Sequence, residues 1–452
     1  MPDSFNQVIS ILLRNLGSKK EIDQYLREFT NVESTKFAVI KAGGGIIEDS
    51  LEELVSSLTF LRKVGLFPIV IHGAGPQLGR AFDEKQIPTE KVDGLRATSP
   101  EHLPIVREVL QNTNFALVDQ LEQNAVRARP VTTGVFEASM IDGDRLGMVG
   151  EIVNVDLRPI EAAIRNGQLP IVSCLGETAT GQIVNINADV AARELALAVQ
   201  PYKVIFLTPT GGLLDADEKV IPAVNLAEDF EALLSQPWVH GGMRLKLIEV
   251  NRLLNNLPMT SSVSITSPRQ LATELFTHRG SGTLIRHGES IEIYPSFEEV
   301  DNGRLRELIE SSFAKSLVLD YFETRQVERI FVTHDYSAAA IVTREGSHCY
   351  LDKFAVTDRA QGTGLGASLW SRLQGEVPAL FWRARPGNRV SPWYFQHSDG
   401  THRTDQWVVF WYGLSSRDEI ETCIEIALTK PPSLLEAIEQ SAVNTSEAVL
   451  NA

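Results

Sequence analysis

The sequence predicts two α/β domains in tandem, the first a mostly parallel sheet with helices on both faces. From residue 36 to about 285, short β-branched runs alternate with helical periods in a strand, loop, helix, strand order. That rhythm breaks at RHGESIEIYPSFEEVDN, residues 286 to 302, a polar acidic stretch with a proline, and five of the six tryptophans fall after residue 300. A chain of 452 residues is also longer than one hydrophobic core usually serves. The expected boundaries are a first domain over 1–285, a linker over 286–298 and a second domain over 299–452.

The first thirty residues read as an amphipathic helical preface. FAVIKAGGG is a buried strand ending in a glycine loop, and Asp49 stands as the N-cap of a helix in which Leu51, Leu54, Val55, Leu58 and Leu61 recur at helical spacing. PIVIHGAG repeats the strand and loop; LPIVSCLGE, the helix NADVAARELALAV, KVIFLTPTGGLL, the helix GGMRLKLIEVNRLL and SSVSITS follow. Beyond residue 300 come a helix, then strands in ERIFVTHD, SAAAIVTR and CYLDKFAVT, then the loop and helix of DRAQGTGLGASLW. The tail from about 431 reads as a terminal helix or as loose chain.

With 42 Lys and Arg against 58 Asp and Glu, the net charge of −16 repels nucleic acid, and no basic patch interleaved with aromatics offsets it. No run of eighteen apolar residues suggests a membrane span, and the start lacks the marks of a secretion signal, so a cytoplasmic protein is expected. Cys174, Cys349 and Cys423 are isolated, without CxxC pairs or metal-ligand spacing, and read as reduced structural thiols with no resident metal.

KAGGG sets Lys41 before three glycines whose backbone N–H groups can approach phosphates. Alone, a tight turn with a solvent lysine explains it equally well. HGAGPQ adds a second loop, VNINAD puts Asn185 and Asp189 at a helix start, and GGMRLK puts Lys246 on the first turns of another helix. In this order, Lys41, Gly44, Gly45, His72 to Gly75, Asn185 to Asp189 and Gly241 to Lys246 resemble the amino acid kinase family, over about residues 36 to 285, and within it acetylglutamate kinase. The resemblance implies an αβα sandwich in which Lys41 and Lys246 stabilise a γ-phosphoryl group in transit and Asp189 holds both lysines. It further implies that Gly44, Gly45, Gly73 and Gly75 supply amides, that Arg96 grips a substrate carboxylate with Asn185 near the other end of the acid, and that Thr208 to Leu214 serve the nucleotide. A carboxylate nucleophile fits independently, because no base for an alcohol is evident and a carboxylate is already ionised at a reference pKa of about 4.3. The product would be an acyl phosphate, with Mg²⁺ arriving with ATP. One departure stands out: Ala74 occupies the second loop where these kinases commonly carry glycine.

DRAQGTGLGASLW is a third glycine loop opening a helix. Gln361, Gly364 and Gly366 fit the Q-x-x-G-x-G/A pattern of the GNAT acetyltransferases, and FWRARPGNRVSPWYFQHSDG with YLDKF resembles the transferase half of vertebrate-like acetylglutamate synthases, over about residues 300 to 430. By that resemblance Gln361, Gly362, Gly364 and Gly366 cradle acetyl-CoA, with Gly362 equally readable as a turn residue. Arg383, with Lys315 as a second contact, binds the acceptor's carboxylate, and Asn388 and Tyr394 act at the reacting centre. A protonated tyrosine can give its proton to a thiolate leaving group, and an asparagine can donate to an oxyanion or orient the amine. Trp382, Trp393 and His397 read as structural.

Together the resemblances imply a GNAT unit that makes N-acetylglutamate from glutamate and a kinase unit that phosphorylates it, early steps of arginine synthesis. They also imply arginine as an inhibitor and a homo-oligomer, dimer or tetramer. Two alternatives remain open: a synthase whose kinase fold only binds arginine, which Ala74 motivates, and an amino-acid sensor that uses both folds for binding.

Overall fold

The structure, a computed structural model, describes residues 34–92, 95–141, 143, 145–258, 260–276, 281–358, 360–361, 365–388 and 390–436. The N-terminal preface and Gly362 and Gly364 lie outside them. The chain divides into two compact units between His287 and Gly288.

The first unit carries β1 (Ala38–Ala42), β2 (Ile69–His72), β3 (Lys91–Val92), β4 (Leu95–Arg96), β5 (Ala128–Val131), β6 (Phe136–Met140) and β7 (Gly150–Val155). It continues with β8 (Leu169–Ser173), β9 (Leu175–Glu177), β10 (Ile183–Asn185), β11 (Lys203–Leu207), β12 (Ala223–Asn225), β13 (Ser262–Thr266) and β14 (Thr283–Arg286). The main sheet has the order β12-β14-β13-β11-β1-β2-β8-β5. Neighbours from β13 to β5 pair in parallel, whereas β14 is antiparallel to β13. A second sheet, β10-β9-β6-β7, and the hairpin β3-β4 complete the unit.

The central strands read as unbroken apolar runs because both of their faces are covered. Ile40, Ala42, Val70 and Ile205 pack against Leu54, Leu58, Leu61, Leu117 and Leu121 on one face. Val39, Ile69, Ile71 and Val172 pack against Ile160, Ile164, Ala191 and Leu195 on the other. Each such side chain contributes about 1.5–3 kcal/mol of burial free energy. The period of two therefore sends Lys41 to the Val39 face, beside the helix Ala188–Val199. Asp49, expected as an N-cap, instead ends the short helix Gly44–Asp49, and Ser50 stands at the N-cap of Leu51–Lys63.

The second unit carries β15 (Ile291–Tyr294), β16 (Lys315–Leu317), β17 (Val327–Thr333), β18 (Ala338–Glu345), β19 (His348–Val356), β20 (Leu380–Ala384), β21 (Gly400–Arg403), β22 (Val408–Tyr412) and β23 (Leu434–Glu436). Its sheet has the order β15-β17-β18-β19-β20-β22-β21. All neighbours are antiparallel except β19 and β20, which run parallel and share a single register pair, Tyr350 with Phe381. The helix Leu365–Glu376 covers one face through Leu369, Trp370 and Leu373. On the other, Asn302–Phe313 packs through Leu305, Leu308 and Ile309, and Arg417–Thr429 through Cys423 and Ala427.

The stretch 286–298, expected as a linker, holds β15, which pairs with β17, and the buried Phe297. Its alternating Ile291, Glu292, Ile293 is an edge strand with one face covered, so the units join over a few residues near His287. The start of the tail also differs from a terminal helix or loose chain: β23 pairs antiparallel with β16, Lys315 opposite Glu436.

The register of β18 with β19 shifts between Ile341 and Val342, leaving Asp352 as the extra residue of a bulge. Its Oδ2 accepts from the Tyr321 hydroxyl at 2.6 Å and from Lys353 Nζ at 2.5 Å. Lys353 Nζ also donates to Ser433 Oγ at 2.5 Å. Burial pushes the Asp352 carboxyl up, but Lys353, the Tyr321 hydroxyl and Lys430 together outweigh it and hold the group below its usual value. Removing one partner of a buried pair strands the other charge. Asp352→Leu should therefore lower the stability of the second unit by about 3–5 kcal/mol in urea unfolding, and the double variant Asp352→Leu with Lys353→Met should recover most of that loss.

Candidate functional site

At the carboxyl ends of the parallel strands lies a cavity of about 260 Å³ lined by Lys41, Gly43, Gly44, Gly73, Gly75, Arg96, Asn185 and Asp189, among others. Lys41 Nζ is 2.8 Å from Asp189 Oδ1. Asp189 sits in the first turn of Ala188–Val199, whose N-cap Asn187 accepts from Asp189 N at 2.8 Å and Val190 N at 3.2 Å. Lys246 lies in the second turn of Gly241–Leu254. Burial, then the charge of Lys41, lowers its pKa, with Asp189 opposing both. Two cations thus share one carboxylate, leaving an excess positive charge beside converging helix N-termini.

The glycines differ in what they permit. A Cβ on Gly44 would stand 2.5 Å from Gln77 Oε1, 2.8 Å from Gly75 N and 2.9 Å from Ala74 Cα, and one on Gly73 would stand 2.9 Å from Ala188 Cβ. Gly75 meets nothing within 4 Å and Gly45 makes only ordinary contacts. Ala74 is 3% exposed and packs among Leu78, Phe82, Val106, Leu110 and Leu175. Ala74 therefore touches an apolar cluster and also lines the cavity. The fit for phosphate is a cradle kept open by missing side chains, with Lys41 in its lining and Lys246 coupled to it by charge.

Arg96 follows the β3–β4 turn, with its Cζ 5.6 Å from the Phe82 ring centroid, and burial lowers its pKa. Asn185 Nδ2 donates to Thr98 Oγ1 at 3.2 Å, which ties the RAT segment to the end of β10. Thr208 to Leu214 follow β11, the neighbour of β1, and Gly211 has φ of +73°. The buried Cys174 thiol lines the cavity, donates to His72 O at 2.9 Å and is pushed up to about 12 by burial, so it is a structural thiol.

In the second unit, Gln361 Nε2 donates to Val356 O at 3.3 Å and to Asp358 Oδ1 at 3.2 Å, closing the loop between β19 and Leu365–Glu376. Gly366 faces Val356 and Phe354 at ordinary contact distance. The short helix Ser391–Gln396 carries Tyr394, whose ring packs 5.5 Å from Trp382 and 5.5 Å from Phe410. Burial alone pushes its phenol well above the usual range. Asn388 Oδ1 accepts from Val390 N at 2.9 Å, fixing the turn before that helix. His397 stacks on Trp393 at 4.2 Å, its Nδ1 2.9 Å from Trp393 O.

Trp382 and Ala384 of β20 share the Tyr394 cluster, whereas Arg383 points the other way and donates to Ala427 O at 2.5 Å and Pro431 O at 3.4 Å. Arg383 and Tyr394 are thus on opposite faces of the strand. Lys315 begins β16, away from the Trp382 cluster.

Residues 36–263 match the Amino acid kinase family, and residues 292–430 match the family described as NAT, N-acetyltransferase, of N-acetylglutamate synthase. An acetylglutamate kinase of Xanthomonas campestris is 50% identical over 93% of this chain and 100% of its own length. The chain belongs to the amino acid kinase family. It is a fused member of that family, carrying the acetyltransferase domain as well. The mitochondrial N-acetylglutamate synthase of Danio rerio is 32% identical over 94% of this chain and 80% of its own. A solved N-acetylglutamate synthase of Neisseria gonorrhoeae, in complex with coenzyme A and N-acetyl-glutamate, has the same fold with a TM-score of 0.57 at 19% identity, covering 87% of this chain and 98% of that one.

The kinase cavity brings together Lys41, Gly44, Gly73, Gly75, Arg96, Asn185 and Asp189; Gly45 stands one position beyond Gly44 in its helix, and Lys246 is linked by charge. Sequence reasoning passed over Arg385, Trp407 and the Asp352–Lys353 pair. The RAR spacing in a strand was the available signal for Arg385, since residues two apart share a face. It also passed over Asn114, whose Nδ2 is 3.0 Å from His72 Nε2 and donates to Ile171 O at 2.9 Å.

His72 is fully buried, and burial lowers its pKa from 6.5 to about 4. The unfolded chain therefore takes up the proton first as pH falls, so the stability tied to the neutral ring is complete above about pH 6.5 and is lost towards pH 4. Denaturant unfolding of the kinase unit should lose roughly 3 kcal/mol across that window, and His72→Gln should flatten the slope.

Proposed function

We infer that this chain is a bifunctional enzyme of arginine biosynthesis, transferring acetyl from acetyl-CoA to L-glutamate and phosphorylating N-acetylglutamate with ATP. The observation that carries the reading is a cavity lined by Lys41 and Asp189 and coupled by charge to Lys246, on the same chain as an N-acetyltransferase domain of N-acetylglutamate synthase type. The domains proposed are the kinase over the residues up to His287 and the acetyltransferase from Gly288.

In the kinase unit, Arg96 and Asn185 are proposed to orient the acid so that one carboxylate faces the phosphate cradle. That carboxylate is ionised at neutral pH and needs no base. Lys41 and Lys246 neutralise charge on the phosphoryl group as it moves, and Asp189 keeps Lys41 from swinging into solvent. Gly44, Gly45, Gly73 and Gly75 offer backbone N–H groups, and Thr208 to Leu214 line the nucleotide side. Mg²⁺ bound through the phosphates supplies further charge neutralisation; among the described residues no group of three His, Cys, Asp or Glu could hold a metal by itself.

In the acetyltransferase unit, the loop from Gln361 to Gly366 is proposed to hold the pyrophosphate of coenzyme A. The glutamate ammonium first gives up a proton to water. The new amide bond then forms between the nitrogen and the acetyl carbon as the carbon–sulfur bond breaks, and Tyr394 gives its proton to the departing sulfur. The second proton released by the nitrogen returns through water to Tyr394. The phenol is protonated at neutral pH, as the role requires, and burial raises its pKa further. Asn388 is proposed to orient the amine or meet the oxyanion. Arg383 and Lys315, expected to bind acceptor carboxylate, do not share a site with Tyr394: Arg383 lies on the opposite face of β20, turned to the carbonyls of Ala427 and Pro431, and Lys315 stands on β16 away from the Trp382 cluster.

A synthase with a silent, arginine-binding kinase fold drew its motivation from Ala74, which lines the cavity as well as an apolar cluster; the presence of Lys41, Asp189 and Lys246 together favours an active kinase instead. Arginine, as the end product, is proposed as an inhibitor, with a homo-oligomeric assembly. A cytoplasmic location is proposed with the bacterial relatives; no described helix is long and apolar enough to cross a membrane.

The test supplies the purified chain with glutamate, acetyl-CoA and Mg-ATP and follows N-acetylglutamate and its phosphate by mass spectrometry. Lys41→Ala should lower phosphate formation by at least about a hundredfold and leave acetylation intact. Tyr394→Phe should slow acetylation by about a hundredfold while supplied N-acetylglutamate is still phosphorylated. Kinase turnover that survives Lys41→Ala would sink the first assignment, and acetylation at full rate in Tyr394→Phe the second.

A further inference from the structure

His72 ends β2 at the entrance to the second glycine loop, and its imidazole is fully buried. Asn114 Nδ2 lies 2.9 Å from Ile171 O and 3.0 Å from His72 Nε2. A carbonyl oxygen only accepts, so the atom that meets Ile171 is the amide nitrogen, with two N–H groups to give. One goes to Ile171 O and the other to His72 Nε2, which must accept. Burial, opposed by the Gly73 carbonyl, holds the ring neutral with a pKa of about 4, so it carries one proton at neutral pH. That proton therefore sits on Nδ1, which donates to Gly73 O at 3.3 Å.

The direction of this bond sets the loop. By the period of two, His72 shares a side of the sheet with Val70, against which Leu117 packs, and Asn114 reaches it from one turn before Leu117 on the helix Leu103–Gln123. Lys41 lies on the other side, with Val39. In a trans peptide the C=O and the following N–H point in opposite directions. A Gly73 carbonyl drawn towards the His72 ring thus turns the Ala74 N–H towards the side of Lys41, and Ala74 lines the cavity. Among the described residues that N–H has no hydrogen-bond partner. The peptide before it is held as well, since Gly73 N donates to Ala42 O at 3.2 Å and the buried Cys174 thiol donates to His72 O at 2.9 Å.

Asn114 is itself fully buried, and its Oδ1 finds no partner among the described residues. A leucine would fill the helix face without burying an unpaired oxygen. What the amide supplies in exchange is the donor that decides the tautomer of His72.

We propose that Asn114 is a positioning residue of the kinase unit: by locking His72 in the Nδ1–H tautomer it turns the Gly73 carbonyl out of the cavity and the Ala74 N–H into it, towards the phosphoryl group in transit. The proposal rests on the kinase reading above. Neither Asn114 nor the imidazole touches the reacting atoms.

The experiment starts from the full chain grown with ¹⁵N-labelled histidine, whose ring-nitrogen shifts tell a protonated from an unprotonated nitrogen, with His72 assigned by the signal lost in His72→Gln. His72 should show a protonated Nδ1 and a bare Nε2; the reverse overturns the proposal. Kinase turnover on supplied N-acetylglutamate is then compared for the wild type, Asn114→Leu and Asn114→Asp, with acetylation of glutamate as the internal control. Asn114→Leu should lower kcat by at least about tenfold while KM for N-acetylglutamate stays within about twofold and acetylation is unchanged. The isosteric Asn114→Asp tests the same point should the leucine variant fail to fold. A carboxylate at that position only accepts, so Nε2 takes the proton and Gly73 O keeps a donor only while the ring is doubly protonated. Its kcat should therefore fall more steeply than that of the wild type as pH rises from about 6 to about 9. A kcat within about twofold of the wild type across that range in the folded variants overturns the proposal. So does a loss of kcat matched by an equal rise in KM for N-acetylglutamate, which marks a merely structural role. A wild-type chain that does not phosphorylate N-acetylglutamate overturns the underlying reading instead.

Discussion

The kinase cavity depends on how closely two loops can approach. β1 and β2 are parallel neighbours whose paired residues run to Ala42 and His72, so the chain leaves both strands at the same level. Gly73 N then donates to Ala42 O at 3.2 Å, and Gln77 Nε2 donates to Gly44 O at 2.8 Å. The second loop presses on Gly44 where any Cβ would meet backbone as well as the Gln77 side chain. Because the obstruction includes backbone atoms, no rotamer change relieves it. The separation of the helix starts at Gly44 and Gly75, and the height at which Lys41 leaves β1, follow from that contact.

The Lys41–Asp189 and Lys353–Asp352 pairs do different jobs, and exposure separates them. Lys41 and Asp189 are 17% and 71% exposed, so their pairing is screened and contributes on the order of 1 kcal/mol or less to stability. Its value is geometric, aiming one ammonium group at the cradle. Lys353 and Asp352 are 3% and 4% exposed, where removing charges from water costs several kcal/mol per ion unless partners surround them. Tyr321 and Ser433 supply those partners, and the ion pair of Lys430 with Glu345 tethers the same returning chain.

The strands legible in the sequence were those buried on both faces, because AVIK, IVIH, PIVS and VIFL leave little else to be. The helix Ala188–Val199 and the loop lysines were legible for the same local reason, since caps, glycines and apolar period all lie within a dozen residues. The second sheet of the first unit was not, because FEASM and GEIVNV are half exposed and their partners lie elsewhere in the chain. β15 hid in a stretch whose charges and proline resemble a connection. Trp407 could not be joined to Arg383 and Arg385 by spacing, as only the β20–β22 register brings them together. The bulge that turns Asp352 inward is likewise a property of two strands.

The pairing of β16 with β23 sets an order of assembly. The strand holding Lys315 finds its partner only at Leu434–Glu436, and Lys353 and Arg383 take partners at Ser433, Ala427 and Pro431. The first unit is compact over the residues up to His287. During synthesis the kinase cavity can therefore close while the second unit is still being translated. The β16–β23 pair and the contacts of Lys353 and Arg383 must wait until residues 427–436 have left the ribosome.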